Sequence, residues 1–444
     1  MSPLKLVIKS FIPTKFWNGV TKSKVLILHS PTILYDFYLR KMAYKKHRRA
    51  LEKARQKDKI KVAFFVVHDS VWKYDILFNL MLNHDRFDPV IFICPAVNFG
   101  RENMIFHMEK AFNLFKSKNY NVIKTFDKET DTYFDVKNSF APDLIFFTNP
   151  YEGLQDYRYY IKHFQDTLTC YVPYAVMTTK YDFFYASTFH DLVWKIFSET
   201  NFHKKIGSEK QKNKGKNIVL TGYPGFDELL INKTPHDNVW KNKNSNLKRI
   251  IWAPHHLMTE LNRMSNFLEY HDFFLEIARK YEDKIQIAFK PHPLLRVKLE
   301  NDINWGKDKV DHYYNQWMNL PNGQFENGEY TDLFLTSDAL IHDCGSFISE
   351  YLFAMKPTLF MVRDENVMKM WSEYGNKALS VHYQSRTKQE VVDFIDSVVL
   401  QGNDTMINER KEFVSNILIT ENKLSASQNI INYLEKEFFE RNSN

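Results

Sequence analysis

Glycine and cysteine are both scarce in this sequence. Only 13 of the 444 residues are glycine, which excludes collagen-like repeats and glycine-rich linkers. The three cysteines, Cys94, Cys170 and Cys344, lie far apart and form no Cys-x-x-Cys pair. That odd number and wide spacing argue against a disulfide framework and a thiolate zinc site, and they favour a reducing compartment. We therefore expect a cytoplasmic protein.

Long apolar runs are also missing. Stretches such as "VAFFVV" and "LIFF" have the length of a strand, far below the roughly 18 to 20 residues that a membrane-spanning helix needs. The N-terminus "MSPLKLVIKSFIPTKFW" has neither the long apolar region nor the small-residue cleavage site of a secretory signal. We expect no membrane span and no secretion.

The positive charge is confined to one end of the chain. Residues 1–61 contain 16 Lys and Arg against three Asp and Glu, a net charge of +13, whereas the remainder has a net charge of −6. With the apolar and aromatic stretch "LKLVIKSFIPTKFW", this segment predicts peripheral contact with an anionic membrane at its inner face. The alternative is a solvated basic helix, "YLRKMAYKKHRRALEKARQKD", that leads into the first domain. No zinc-finger or RNP-type motif supports binding to nucleic acid.

The rest of the chain alternates strand and helix patterns, which predicts an α/β protein with two doubly wound, Rossmann-like domains. The polar stretch "INKTPHDNVWKNKNSNLK" breaks the periodicity and is the best candidate for a linker. Two such domains are expected to face a cleft that binds ligands. The predicted units are a basic helical N-terminal extension (1–58), a first Rossmann-like domain (59–230), a second one (245–400) and C-terminal helices (401–444).

The segment "SDALIHDCGSFISEYLFAMKPTLFMV", residues 337–362, predicts a strand, a polar loop, a helix from Phe347 to Met355 and a second strand. The loop of such a unit opens at the carboxyl edge of a parallel sheet, where these folds bind ligands. A helix start with Gly345 and Ser346 offers unpaired N–H groups suited to a phosphate. The alternative is that Ser346 only caps the helix. Glu350 lies one helical turn further and is a candidate for ribose hydroxyls, or else an ordinary surface residue.

Three strands of the second domain end in turns that contain histidine. The turns are "WAPHH" (His255, His256), "KPHP" (Lys290, His292) and "IHDCGS" (His342, Asp343, Ser346). Because parallel strands place these ends on one edge of the sheet, the turns are expected to converge on a diphosphate. A metal site is disfavoured, since no HxxxH or HExxH pair occurs and the adjacent His255 and His256 are expected to point apart on a strand. We expect no cofactor and no dependence on metal.

In the first domain, "FFVVHDSVWKYD" places His68 and Asp69 at the carboxyl end of the first strand. Across a cleft, either side chain is a candidate general base towards an incoming hydroxyl. The alternative is that Asp69 or Ser70 caps the following helix. Trp72, with Tyr151 and Glu152 of "NPYEGLQDYRYY", is a candidate contact for a polar, sugar-like acceptor. The stretch "LTGYPGFDELL" is interpreted as a hinge whose helix start is capped around Asp227.

These residues together resemble the CDP-glycerol glycerophosphotransferase-like family, GT-B enzymes that build teichoic-acid-type and capsule polymers. The resemblance rests on the two paired turns, on Asp343 with Gly345-Ser346 and Glu350, and on "GYPGFDELL". It covers residues 215–365 well and the first domain in outline. Family members commonly carry a Trp-His-Gly turn with the base; the comparable "CYVPYAVM" has no histidine, so His68, with Asp69 second, is the expected base.

The resemblance implies a GT-B transferase that moves a glycerol- or ribitol-phosphate-like group from a CDP-activated donor. The acceptor would be a hydroxyl of a cell-surface polysaccharide or lipid-linked polymer, and CMP would leave. His256, Lys290, His292 and Ser346 would stabilise charge on the diphosphate, with His255, His342, Asp343 and Gly345 completing the donor site and Glu350 holding the ribose. Two alternatives stay open, namely an NDP-sugar glycosyltransferase with the same donor pocket and a non-catalytic glycan-binding module.

Overall fold

The computed structural model describes residues 22–98, 100–230, 237–244, 246–258, 263–328 and 330–440, and only the backbone for residues 22–31 and 237. The apolar N-terminal stretch of residues 4–17 and residues 231–236 of the expected linker lie outside the described residues.

The first sheet has seven strands, all paired in parallel, in the order β3-β2-β1-β6-β7-β8-β9. The strands are β1 (Ile60–Val66), β2 (Phe87–Ile93), β3 (Val122–Lys124), β6 (Leu144–Phe147), β7 (Leu168–Tyr171), β8 (Lys195–Ser198) and β9 (Ile218–Leu220), and β4 (Phe126–Asp127) pairs antiparallel with β5 (Thr132–Tyr133). Phe65 lies between Phe92 and Phe147 in register. Runs that are apolar at successive positions are typical of strands covered on both faces.

The helices of this first unit are α1 (Lys22–Ala54), α2 (Asp75–Leu82), α3 (Arg101–Ser117), α4 (Thr188–Leu192), α5 (Asn201–Lys210) and α6 (Asp227–Leu230). Helix α1 precedes β1, α2 to α5 lie in the connections between strands, and α6 follows β9. Helix α1 lies against the first domain through one face, where Leu39 and Ala43 are buried and Arg40 Nε donates to Asp191 Oδ2 at 2.9 Å. The basic N-terminal helix is therefore anchored to the domain by apolar contact and an ion pair.

The second sheet has six parallel strands in the order β12-β11-β10-β13-β14-β15. They are β10 (Lys248–Ala253), β11 (Ile285–Phe289), β12 (Gly323–Phe325), β13 (Ala339–His342), β14 (Thr358–Met361) and β15 (Tyr383–Ser385). The helices are α7 (Phe267–Lys280), α8 (Pro293–Glu300), α9 (Gly306–Asn319), α10 (Thr331–Thr336), α11 (Phe347–Glu350), α12 (Glu365–Met368), α13 (Glu373–Leu379), α14 (Lys388–Asp393), α15 (Ile407–Phe413) and α16 (Ala426–Phe438). The expectation of two doubly wound α/β units is confirmed.

The two units share an apolar core. One continuous cluster contains Phe64 and Phe146 of the first sheet together with Phe360 and Trp371 of the second unit. The backbones also pair across the boundary, where Ser372 N donates to Thr178 O at 2.9 Å and Lys180 N to Met370 O at 3.0 Å. These contacts place the carboxyl edge of the second sheet against the first domain. The domain boundaries drawn from the sequence stay a prediction.

The C-terminal helix α16 returns to the first sheet, and its residues Ile430 and Leu434 belong to the shared core. Asp227, at the start of α6, is fully buried and accepts the N–H groups of Ala426 at 2.9 Å and Ser427 at 2.8 Å. The Asp227 carboxylate therefore caps a helix 200 residues further along the chain, which a local sequence pattern does not reveal. Within the described part of the chain, every helix is too short or too polar to cross a bilayer.

Candidate active site

The turns after β10 and β11 bring three imidazoles together. The ring centroids are 4.4 Å apart for His255 and His256, 4.1 Å for His256 and His292, and 5.2 Å for His255 and His292. One nitrogen of each ring lies within 4.8 Å of the others. The expectation that His255 and His256 point apart is wrong, because both follow the strand rather than belong to it and the turn folds their rings onto one side.

Backbone hydrogen bonds fix the tautomers of two of these rings. Leu257 N donates to His255 Nδ1 at 3.2 Å, and Leu294 N donates to His292 Nδ1 at 3.1 Å. A neutral ring that accepts at Nδ1 carries its proton on Nε2. Both rings therefore present Nε2–H donors, which suit an anion; a metal would instead require an unprotonated nitrogen.

Burial keeps the three rings neutral. Desolvation, followed by the neighbouring imidazoles and Lys298, lowers the pKa of His255 and His256 far below the ordinary value. Desolvation also lowers the pKa of His292 to about 4, with Lys298 a second cause. Charging any ring would cost free energy until a negative ligand arrives. The cluster is therefore a desolvated set of hydrogen-bond donors whose affinity for anions comes from its geometry.

Asp343 holds this cluster in place. Its Oδ1 accepts the N–H of His255 at 2.5 Å, and its Oδ2 accepts the N–H of Asn266 at 2.6 Å. The carboxyl group is buried, and desolvation raises its pKa to about 6 against the lowering effect of these hydrogen bonds. Asp343 is 1% exposed and the neighbouring His342 is 0% exposed. Neither side chain offers surface to a ligand, so the structure places both behind the site rather than in it.

His342 contributes to the wall of the turn. Its Nδ1 is 3.1 Å from Cys344 O, and its ring packs against Phe360 and His382. The contact with Cys344 orients the loop that leads to Gly345. The sequence predicted that His342 contacts the donor directly, whereas in the structure it supports the loop beside the site.

The loop before helix α11 differs from a simple helix cap. Ser346 has helical dihedral angles and its side chain makes no capping hydrogen bond, so the interpretation of Ser346 as a cap is wrong. The helix has only four α-helical residues, followed by a 3₁₀ turn at Tyr351–Ala354 that ends at Met355. Because so short a helix has a weak dipole, any phosphate would be held mainly by local N–H and hydroxyl groups.

Lys290, Tyr330 and Glu350 form the other side of the site. Lys290 is 7% exposed, donates to Gly328 O at 2.9 Å and has its pKa lowered to about 8 by desolvation. Tyr330 donates its hydroxyl to Glu350. From the first domain, Lys73 Nζ reaches Tyr330 Oη at 3.1 Å. The sequence patterns missed Lys73 and Tyr330, since neither belongs to a histidine-bearing turn.

A family model describes this part of the chain. Residues 173–436, more than half of the sequence, match the family CDP-glycerol:poly(glycerophosphate) glycerophosphotransferase. The chain belongs to this family. It is therefore an enzyme of the CDP-glycerol glycerophosphotransferase type, as the resemblance in the second domain implied. No curated protein matches the chain by sequence.

Solved structures share the fold of this glycerophosphotransferase family member at low sequence identity. A variant of the wall teichoic acid polymerase TagF is 13% identical with a TM-score of 0.56, covering 91% of this chain and 98% of its own. A UDP-N-acetylglucosamine 2-epimerase is 13% identical with a TM-score of 0.56, covering 87% and 98%. The epimerase from Neisseria meningitidis bound to UDP-GlcNAc is 16% identical with a TM-score of 0.52, covering 85% and 100%. These neighbours confirm the two-domain GT-B fold.

In the first domain, His68 and Asp69 follow β1 and form a second polar cluster. The His68 ring contacts the His107 ring edge-on at 4.9 Å, and Lys110 Nζ binds Asp69 Oδ2 at 2.8 Å. Desolvation lowers the pKa of His68 to about 4, with His107 the next cause. Helix α3 thus supplies two partners that sequence reasoning missed, because only the tertiary fold brings residues 107 and 110 to the end of β1.

The candidate acceptor residues separate into different environments. Trp72 is 8% exposed and packs against Phe64 and Phe115, so it has little indole surface for an acceptor. The sequence predicted that Trp72 contacts an acceptor, whereas in the structure Trp72 packs in the core of the first domain. Glu152 is exposed and paired with Lys162 at 2.8 Å.

Tyr151 contacts a tyrosine of the segment that the resemblance pairs with the family's histidine turn. Its hydroxyl lies 2.8 Å from the hydroxyl of Tyr174, which belongs to the segment "CYVPYAVM". Desolvation raises the pKa of both phenols, so neither is prepared to accept a proton at neutral pH. This part of the chain therefore offers polar contacts but no base.

Proposed function

We propose that the protein transfers a polyol phosphate, of the glycerol- or ribitol-phosphate class, from a CDP-activated donor to a hydroxyl of a cell-surface polymer. The observation that carries this proposal is the cluster of His255, His256 and His292 in a chain of the glycerophosphotransferase family. Two Nε2–H donors from the adjacent turns after β10 and β11, with Lys290 two residues before His292, fit the oxygens of a diphosphate.

In the proposed reaction, the acceptor oxygen attacks the phosphorus distal to the nucleoside. The bond from that phosphorus to the bridging oxygen breaks, and CMP leaves with this oxygen. The imidazoles, Lys290 and the Ser346 hydroxyl stabilise the charge that develops on the diphosphate. Glu350 is proposed to accept hydrogen bonds from the ribose, which would displace the hydroxyl that Tyr330 now donates to it.

The proton of the attacking hydroxyl is proposed to pass to His68. Desolvation lowers the pKa of this ring to about 4, so the ring is neutral at pH 7 with one unprotonated nitrogen, and it is a weaker base than an ordinary imidazole. Asp69 is the second candidate, and its carboxylate forms an ion pair with Lys110. Tyr151 and Glu152 remain proposed acceptor contacts on the same side of the first domain.

No metal ion is assigned a role in this proposal. The support is the hydrogen bonding of His255 and His292, whose Nδ1 atoms accept backbone N–H groups and whose Nε2 atoms therefore carry protons. In this proposal, the imidazole donors and Lys290 stabilise the negative charge of the diphosphate. Activity that survives EDTA treatment is the expected result, and loss of activity that Mg²⁺ or Zn²⁺ restores would contradict it.

The function is tested by product analysis with purified protein and an acceptor extract. Separate samples receive CDP-glycerol, CDP-ribitol or a UDP-sugar, and phosphorus NMR follows the products. CMP together with a new phosphodiester signal supports phosphotransfer, and His68→Ala is then expected to lower kcat at least 100-fold, at the lower end of the roughly 10²–10⁴-fold contribution of a general base. A nucleoside diphosphate without a phosphodiester would contradict phosphotransfer and support the alternative of an NDP-sugar glycosyltransferase.

We also propose that helix α1 contacts an anionic membrane, which would keep the enzyme at the cytoplasmic face. On one side of this helix, Phe37 is 65% and Tyr44 80% exposed, and Ile33 and Leu34 are exposed as well. Lys41, Lys45 and Arg48 project from the same face at helical spacing. An aromatic face with flanking basic residues fits the interface of a leaflet that contains anionic lipids.

Sedimentation with vesicles tests the membrane contact. Vesicles with 30 mol% phosphatidylglycerol, about one lipid in three, are expected to bind the full chain, and vesicles of phosphatidylcholine are expected to bind it weakly. The double variant Phe37→Ser and Tyr44→Ser should lose most of this binding. The control Phe106→Ser removes an exposed aromatic residue of α3 instead. Equal binding by both variants and the wild type would refute the proposal.

A further inference from the structure

One cation of the cleft comes from the opposite domain. Lys73 lies in the loop between β1 and α2, and its Nζ is 3.1 Å from Tyr330 Oη. Lys290, from the second domain, approaches the same tyrosine. The Nζ atoms of Lys73 and Lys290 lie 5.4 Å and 5.2 Å from the Tyr330 ring centroid. Two ammonium groups from two domains therefore converge on one ring.

Two carboxylates lie near these two ammonium groups, and the ammonium groups also act on each other. Glu350 accepts the Tyr330 hydroxyl, and Glu326, which also acts on Lys290, is engaged with Gln324 Nε2 at 2.6 Å. Lys73 and Lys290 act on each other unfavourably, since each positive charge disfavours the other. A ligand with two negative charges at this point would relieve that repulsion.

From this convergence we infer that Lys73 is a donor-binding residue, supplied by the first domain, that contacts the diphosphate opposite Lys290. The inference rests on the proposed function and deepens it, because it assigns a contact to a residue outside the family-matched segment of residues 173–436. It also couples donor binding to the arrangement of the two domains, since each provides one ammonium group.

A purely structural role for Lys73 is the competing explanation. The domains are already joined by the paired backbones of Thr178 and Ser372 and by a shared apolar core. The contact of Lys73 with Tyr330 lies at a half-buried position of this interface. The two roles differ in donor binding, because a purely structural lysine would not change the affinity for the diphosphate selectively.

The test compares CDP-glycerol with cytidine, which lacks the diphosphate. Dissociation constants are measured by calorimetry and ligand-observed NMR for the wild type, Lys73→Met and Lys73→Arg. Lys73→Met is expected to bind CDP-glycerol at least tenfold more weakly, with unchanged affinity for cytidine. Lys73→Arg should recover most of the affinity because it keeps the charge.

Lys205→Met is the matched control. Lys205 also bridges the domains, through an exposed ion pair with Glu373 at 3.0 Å. The variant Lys205→Met is expected to leave donor binding unchanged. If Lys73→Met binds CDP-glycerol like the wild type, or loses CDP-glycerol and cytidine equally, the inference is wrong. If the wild type ignores CDP-alditols but binds a UDP-sugar in a Lys73-dependent way, the inference stands and the phosphotransfer proposal fails. If the wild type binds no nucleoside diphosphate, both fail.

Discussion

At the scale of single residues, the protonation of three imidazoles determines what the site can bind. Backbone N–H groups occupy Nδ1 of His255 and His292, so the Nε2 atoms are donors. The sequence showed that the histidines occur at strand ends, and this was enough to predict a cluster. It did not show the tautomers or the contact between adjacent rings, because both depend on the backbone path of the turns after β10 and β11.

Removal of one donor should weaken binding of the CDP-activated substrate. A hydrogen bond to a charged group contributes about 1.5–3 kcal/mol, which corresponds to roughly a 10- to 150-fold change in affinity. We expect His292→Ala to raise the dissociation constant of CDP-glycerol within this range, measured by calorimetry. The control His312→Ala removes an exposed histidine of the same domain and should have no effect. If His292→Ala and the wild type bind CDP-glycerol with equal affinity, His292 is not part of the donor site.

Donor affinity should also depend on pH through Lys290. Burial lowers the pKa of this ammonium group to about 8, while Glu326, Cys344 and Glu350 oppose the shift and Lys73 adds to it. The group is thus mostly charged at pH 7 and mostly neutral at pH 9. Because the diphosphate of a CDP-alditol does not titrate in this range, its affinity is expected to fall as the pH rises through 8.

The variant Lys290→Arg separates this effect from other titrations. Arginine stays charged throughout the range, so its affinity should be nearly constant between pH 7 and pH 9. The measurement is a series of calorimetric titrations at half-unit steps. A decline of the same size in Lys290→Arg would assign the pH dependence to another group.

At the scale of elements, the turns are positioned by contacts that join distant segments. Asp343 fixes the backbone of His255 and the start of α7 at Asn266, and Thr178 Oγ1 of the first domain donates to Gly345 O at 3.2 Å. The strand, loop, helix and strand pattern of residues 337–362 was predictable from periodicity. The role of Asp343 was not, since its partners lie 77 and 88 residues away.

Helix α13 of the second domain approaches the first domain closely at Gly375. A Cβ atom added to Gly375 would lie 2.2 Å from Thr178 O, a backbone atom of the other domain. In an isolated helix, Gly→Ala stabilises by about 1 kcal/mol, but overpacking of this kind costs about 1–3 kcal/mol. We therefore expect Gly375→Ala to lower the midpoint of thermal unfolding, followed by circular dichroism.

The control for this variant lies on the same helix. Asn376→Ala changes an exposed neighbouring position, so it should leave the midpoint nearly unchanged. An increase in the midpoint for Gly375→Ala would show that helix propensity dominates and that the interface is looser than the structure indicates.

At the scale of the whole molecule, the two sheets and the C-terminal helix form one connected core. The alternation of strands and helices predicted the two sheets. The contacts between domains, including Lys73 with Tyr330 and Asp227 with α16, could not be predicted, because their partners lie about 200 or more residues apart. His107 and Lys110 were missed for a similar reason, since their helix has no distinguishing motif.

The cap at Asp227 gives a prediction for the whole molecule. Asp227→Ala leaves two N–H groups of a buried helix start without a partner, at a cost of about 1–2 kcal/mol. The midpoint of urea unfolding should fall accordingly. Asp364→Ala, which removes the cap of the exposed four-residue helix α12, is the matched control and should change the midpoint much less. Equal effects would mean that α16 does not stabilise the assembly of the two domains.

The most direct test of the central claim is a nitrogen NMR spectrum of the histidine rings. Protein labelled with ¹⁵N-histidine would be recorded free, with cytidine and with CDP-glycerol, and the variants of His255, His256 and His292 would assign the signals. We predict Nε2–H tautomers for His255 and His292 in the free protein, and a shift of their Nε2–H signals with CDP-glycerol but not with cytidine. Nδ1–H tautomers, or signals that ignore CDP-glycerol at saturation, would contradict the assignment of these turns to the donor diphosphate.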